Sequence, residues 1–207
     1  MSICVILLNR KGLSEKISHR AAKLFCVVFA TIDVSYLIPE KIETERLILR
    51  KFRDADWMDL HKLYSDPECT RYTIQRTLTE GESWRTMATM IGHWQIRGYG
   101  PYAVEEKSTG RVMGPVGLWY PNDWPEPEIK WALSRSFWGQ GYASEAARAV
   151  KKMAHRYLPE TSLISLIFAE NEPSIRLALA IGAMFEKKIE FRGIVAHIYR
   201  HGNDAEA

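Results

Sequence analysis

Cysteine is scarce: the 207 residues hold three, Cys4, Cys26 and Cys69. An odd number at irregular spacing fits neither a disulfide framework nor a zinc site. Reduced thiols in a cytoplasmic protein are the expected state. Long apolar runs are missing too. Residues 3–8 and 24–34 are apolar, but each falls short of the ~20 residues that cross a bilayer, so no transmembrane segment is expected. A secretory signal would place its charges before the apolar core; here Arg10, Lys11, Lys16, Arg20 and Lys23 lie between the two runs. No stretch of Lys and Arg builds a basic stripe and the formal charge is only +3, which argues against nucleic acid as a partner. His197 and His201 are four apart, yet their segment reads as a strand end, so no metal site is expected there.

What remains is ordinary globular composition, 46% apolar and 26% charged, in a chain long enough for one domain and an appendage. Residues 1–42 differ from the rest and read as a loosely attached extension, with a basic membrane-surface helix as the other reading. Pro39 and the charged run 40–46 mark a boundary. The regular domain is expected over residues 43–202, with a short tail at 203–207.

Within it, Arg46-Leu47-Ile48-Leu49-Arg50 reads as a first strand. Asp54 or Asp56 caps a helix to about Ser65, with Trp57, Leu60, Leu63 and Tyr64 inward. Thr79 and Glu82 resemble a capping box opening a helix to about Ile96, with Trp84, Met87, Met90, Ile91 and Trp94 inward and Gly98 at its end. Strands are expected at 102–106, 112–119 and 128–133, the first two joined by a Ser108-Thr109-Gly110 turn. An alanine-rich helix follows, burying Ala143, Ala146, Ala147, Val150 and Ala154, with Glu145, Arg148, Lys151, Lys152 and His155 outward. Residues 163–168 form a buried strand, 173–181 a helix, and 185–191 and 195–200 two closing strands.

The chemistry concentrates in Trp138-Gly139-Gln140-Gly141-Tyr142-Ala143-Ser144-Glu145, between a strand and a helix. Glycines let a backbone approach a ligand, and the first N–H groups of a helix have no internal partner, so the segment suits phosphate. A dinucleotide fingerprint needs a third glycine where Glu145-Ala146 stand, and no Gly-Lys-Ser/Thr is present for a nucleotide triphosphatase loop. Alone, the glycine pair would read as a tight turn.

Four segments in order carry a resemblance: Glu43-Thr44-Glu45-Arg46-Leu47-Ile48-Leu49-Arg50, Glu128-Ile129-Lys130-Trp131-Ala132-Leu133, Phe137 through Ala146, and Asn171-Glu172-Pro173-Ser174 before Ile181-Gly182. Together they make residues 43–201 resemble the GCN5-related N-acetyltransferases, especially the branch of ribosomal-protein N-terminal acetyltransferases. The resemblance implies an α+β, three-layer fold: a mixed, mostly antiparallel sheet with a splayed parallel strand pair and helices on both faces. It implies acetyl-CoA as co-substrate, no metal, and a protein N-terminus or a small-molecule amine as acceptor, in a monomer or homodimer. The pyrophosphate would lie against the amides of Trp138, Gly139, Gln140, Gly141, Tyr142 and Ala143. The pantetheine arm would follow the strand edge at Leu133 and Arg135, with Asn171 and Ser174 on its far side.

Two departures stand out. Ser136 occupies the position that often carries Gln or Arg three residues before the first glycine, with Arg135 next door. Ala178 occupies the position that many relatives fill with a tyrosine acid, leaving Ser174, a water or nothing in that role. A non-catalytic acyl-CoA-binding module is therefore the alternative function. Glu128 is the candidate base, since partial burial raises a carboxylate's pKa; it also reads as a solvated charge after prolines, and Glu170 is held in reserve. A backbone N–H near Leu133 would steady the developing oxyanion. Tyr72, Trp94, Trp119, Tyr120 and Trp124 read either as core or as an acceptor pocket.

Overall fold

The structure, a computed structural model, describes residues 36–202. The extension's apolar runs and the last five residues lie outside the described residues. The order is β1 (Lys41–Glu43), β2 (Leu47–Arg50), α1 (Trp57–Tyr64), α2 (Pro67–Thr70), α3 (Glu80–Arg97), β3 (Pro101–Glu106), β4 (Val112–Trp119), β5 (Glu128–Trp131), α4 (Tyr142–Tyr157), β6 (Leu163–Phe168), α5 (Glu172–Ala180), β7 (Ala183–Phe191) and β8 (Ile194–His201). The eight strands form one sheet in the order β1-β2-β3-β4-β5-β6-β8-β7. Every neighbouring pair is antiparallel except β5 and β6, which α4 connects. Among the described residues no helix is long and apolar enough to cross a membrane.

Helices cover both faces. Ala146, Ala147, Val150 and Ala154 of α4 pack on Leu47, Leu49, Tyr102, Val104, Val116 and Leu118. On the other face Leu60 and Leu63 of α1 and Met87 and Met90 of α3 meet Ala103 and Val112. The pleat puts Ala103 opposite its neighbours Tyr102 and Val104. A register shift at Val104/Glu105 reverses this parity along β4, so Val112 and Val116 serve different faces. Gly114 sits at that shift because a Cβ there would stand 2.2 Å from the Ala132 carbonyl oxygen.

Four expectations are corrected. The folded body begins before residue 43: Ile38 is 2% exposed, the Tyr102 hydroxyl donates to the Pro39 carbonyl (2.6 Å), and β1 pairs with β2. The charged run that looked like a boundary is an edge strand and its turn, where charge suits exposure. Trp84 is 46% exposed rather than inward, its indole reaching Asp54 (3.3 Å). Lys151 is buried rather than outward, because its Nζ donates to the Ile181 carbonyl (3.0 Å). The third strand of the middle group ends at Trp131, short of Leu133. The capping box at Thr79 and Glu82 forms as expected.

Candidate active site

The glycine segment closes a short turn, Arg135–Phe137, and opens α4. Gly139 and Gly141 take φ of +72° and +79°, the left-handed region where a side chain is strained. Those dihedrals aim successive N–H groups outward. The amides of Gly139, Gln140, Gly141, Tyr142 and Ala143 find no acceptor among the described residues. The Trp138 amide differs: it donates to the Arg135 carbonyl (3.1 Å), so it leaves the set. A Cβ built on Gly139 would meet no atom within 4 Å, and one on Gly141 only Arg46 at 3.5 Å. The face before these amides is open.

Glu145 fixes this loop in place. Its carboxylate accepts from the Thr44 hydroxyl (2.5 Å), the Arg46 amide (3.0 Å) and Arg46 Nε (2.7 Å). Arg46 then donates to the Gln140 carbonyl (2.9 Å). The side chain thus tethers the helix start to β2, besides complementing the helix dipole. Two neighbours face away from the loop. Arg135 pairs with Asp66 (2.9 Å), so it does not replace the missing residue at Ser136. The Gln140 amide group donates to the Ser136 carbonyl (2.9 Å).

Beyond the loop, β5 and β6 separate. They share one register pair, Glu128 with Ile164, and the Ile164 amide donates to the Pro127 carbonyl (3.0 Å). A continuing parallel ladder would join the Leu166 amide to the Ile129 carbonyl two residues on. Instead, side chains satisfy both groups. The Leu166 amide donates to Glu128 Oε2 (3.2 Å), and Ser165 Oγ donates to the Ile129 carbonyl (2.8 Å) while also meeting His201 Nε2 (2.9 Å). Buried backbone groups need partners, and these substitutes let the strands part without leaving either group unpaired. On the other edge of the β5 segment, the Ala132 and Ser134 amides donate to Pro115 (2.9 Å) and Met113 (2.8 Å). The alternation turns the Leu133 amide toward the gap, without an acceptor among the described residues.

A cavity of about 450 Å³ opens there. Glu128 stands at its floor, 5% exposed. Burial pushes its carboxyl up to about 7, against the pull of the Lys130 charge, the Leu166 amide and the Trp124 indole. The Trp124 N–H is itself buried, with no acceptor at bonding distance among the described residues. Lys130, two residues along the same face, holds its Nζ 4.7 Å over the Trp119 ring, and burial lowers its pKa. His93 backs Trp119, stacked at 4.7 Å and held by the Tyr99 carbonyl (2.8 Å) and the Tyr120 amide (2.9 Å). At the mouth, Arg192 lies 4.8 Å over Trp124 and its Nε donates to Asp123 (3.0 Å).

On the far wall, the Asn171 side chain caps α5 by accepting from the Ser174 amide (3.3 Å). Ser174 Oγ accepts from the Trp131 indole (3.2 Å), which leaves its own proton free to donate. Ala178 is fully buried with Ile167, Ala183 and Tyr199. Glu170 is exposed and does not line the cavity, so it falls away as a reserve base. Of the aromatic candidates, Tyr72, Trp119 and Trp124 line the cavity. Trp94 is core, packed edge-on to Tyr102, and Tyr120 lies under Arg97. Sequence reasoning missed Lys130, Ser165 and Arg192. Period-two spacing from Glu128 was a signal for Lys130; nothing local marked the other two.

Along the site stand open amides, then a strand gap with an amide that has no acceptor among the described residues, then a cavity with a buried carboxyl. A family model described as an acetyltransferase (GNAT) domain matches residues 46–184. The uncharacterized N-acetyltransferase p20 of Bacillus licheniformis is 32% identical over 140 residues, covering 67% of this chain and 79% of that protein. An acetyltransferase of known structure from Agrobacterium tumefaciens aligns with a TM-score of 0.71 at 27% identity, over 80% of this chain and 95% of that one. A ribosomal L7/L12 α-N-protein acetyltransferase in complex with coenzyme A aligns at 0.65 and 20% identity, over 82% and 99%, a likeness of fold.

Proposed function

Because the chain belongs to the GNAT acetyltransferase family, an enzyme family of acyl transfer, we propose that it moves an acetyl group from acetyl-CoA to a primary amine by direct attack. The amine belongs to a small molecule or a protein N-terminus, and the scarce cysteines suit a cytoplasmic enzyme. The observation that carries this reading is the parted strand pair, entered past five amides that have no acceptor among the described residues and ending on Glu128.

The amides of Gly139 through Ala143 would hold the diphosphate, with the α4 dipole behind them. Residues 132–134 and Asn171 would flank the arm. Acetyl-CoA supplies an acyl carbon on a thiol leaving group, so a C–N bond forms as the C–S bond breaks. The protein's share is protons and charge. An ammonium has no lone pair, so Glu128 takes its proton; a carboxyl near 7 is largely ionised above neutral pH and still a competent base. The Leu133 amide donates to the carbonyl oxygen as negative charge builds there. Ser174 passes its proton to the departing sulfur and regains one from the nitrogen, which sheds a second proton as the amide forms; the proton taken by Glu128 leaves to solvent. Holding both reactants in one narrow gap supplies much of the remaining rate.

An acceptor screen with mass-spectrometric detection tests this. A product heavier by one acetyl group, formed only with acetyl-CoA present, is expected. Tight coenzyme A binding with no product from any amine would favour a non-catalytic module instead.

A further inference from the structure

We infer that Lys130 reads a carboxylate on the acceptor, so the substrate is a primary amine carrying a carboxyl group and polyamines are poor acceptors. This rests on the acetyl-transfer reading and specifies its second substrate.

Three observations carry it. First, Lys130 shares one strand face with Glu128, so its ammonium and the proposed base look into one cavity about 7 Å apart along the strand. Second, that ammonium makes no ion pair among the described residues, the Glu128 charge reaching it only at longer range. Among the described residues no carboxylate lies within ion-pair distance of it, and its recorded neighbour is the face of Trp119. Its cross-strand partner is Gly117, which offers no side chain. Third, the cavity's charged lining is Glu128, Lys130 and Arg192, and Arg192 is already engaged with Asp123.

An amine arrives protonated and meets Lys130 as well as Glu128. A second positive charge on the acceptor adds repulsion in a poorly solvated space. A carboxylate a few bonds from the amine answers Lys130 while the nitrogen faces Glu128. Burial has lowered the lysine's pKa, and an incoming anion would favour its charged form again. Two sources share this chemistry: a free amino acid, and a chain whose first residue is acidic.

Binding to the full-length protein loaded with coenzyme A, by calorimetry, decides the matter. The probes are L-alanine against L-alaninamide, a Glu-Ala-Ala amide peptide against Gln-Ala-Ala amide, and spermidine. At least one acid member should bind tenfold or more tighter than its neutral partner, and spermidine should bind weakest. Which pair discriminates identifies the source. Lys130→Met should bring the pair within about twofold, and Lys130→Arg should keep the preference. Equal binding of acid and neutral partners to the natural protein, absence of binding by all probes, or equal weakening of both by Lys130→Met would overturn the proposal. The first two comparisons stand even if a variant fails to fold. If an acid amine binds through Lys130 yet no acetylated product forms with acetyl-CoA, the acetyl-transfer reading fails while this one survives.

Discussion

Glu128 accepts the backbone N–H of Leu166 at 3.2 Å, in place of the Ile129 carbonyl that a continuous parallel ladder would supply. One carboxylate thereby holds the strand gap open and stands in it as the nearest base. The two roles separate by substitution. Glu128→Gln keeps an oxygen for the Leu166 amide but cannot take a proton. Turnover near neutral pH should fall about a hundredfold or more, the scale of general-base catalysis. It should recover as rising pH deprotonates the amine in solution. In the natural enzyme, kcat/KM should climb with pH through about 7 as the carboxyl ionises. Steady-state rates from pH 5.5 to 9.5 check both, and unchanged turnover in the variant at pH 7 removes Glu128 from the chemistry.

The same shift predicts a stability effect of the opposite sign. The Glu128 carboxyl sits near 7 in the folded protein, above its ordinary 4.5. Its contribution to stability is therefore full below pH 4.5 and is lost as pH rises through about 7. The loss amounts to about 3 kcal/mol at most. Glu128→Gln escapes it. The variant should melt higher than the natural protein at pH 8.5 and alike at pH 4.5. Thermal melts at the two values suffice, and a variant that melts lower at pH 8.5 contradicts the buried, uptitrated carboxyl.

Gly139→Val should remove coenzyme A binding while the fold persists. A side chain at φ of +72° costs about 2 kcal/mol in strain, yet its Cβ would meet no atom within 4 Å. It would, however, stand before the amides meant for phosphate. Calorimetry with coenzyme A, beside circular dichroism of the same sample, checks this; retained binding would move the diphosphate elsewhere.

Most of this frame was legible from local pattern. The short apolar runs at Leu47 and Val112, the Thr79–Glu82 box and the glycines before α4 are signals contained in a few neighbouring residues. Glu128 was half legible: it opens a strand where burial would raise its pKa, yet it read equally as a solvated charge after prolines, and only the packing buries it. Local pattern failed where partners are distant. Lys151 looked outward on a helical wheel until the Ile181 carbonyl, thirty residues away, drew it in. Arg135 looked available to the cofactor arm, but its side chain pairs with Asp66, far off in sequence. Ser165 read as one small residue in an apolar strand, and only the loss of the ladder gives its hydroxyl a task.

The missing tyrosine is the sharpest of these cases, because its position is occupied rather than vacant. Ala178 is fully buried among Ile167, Ala183 and Tyr199, so a ring added there has no room. Ala178→Tyr should cost about 1–3 kcal/mol or more through overpacking and should not raise kcat. Ser174 is the better donor, since the Trp131 indole fills one of its lone pairs and leaves its proton to give. Ser174→Ala should lower kcat about tenfold or more, within the lower range of proton-transfer effects, with coenzyme A affinity little changed. Rapid-quench rates for the two variants, with melting temperatures alongside, separate the outcomes. A Ser174→Ala enzyme of full kcat would assign the proton to solvent, and a faster Ala178→Tyr enzyme would mean the helix can turn that position toward the gap.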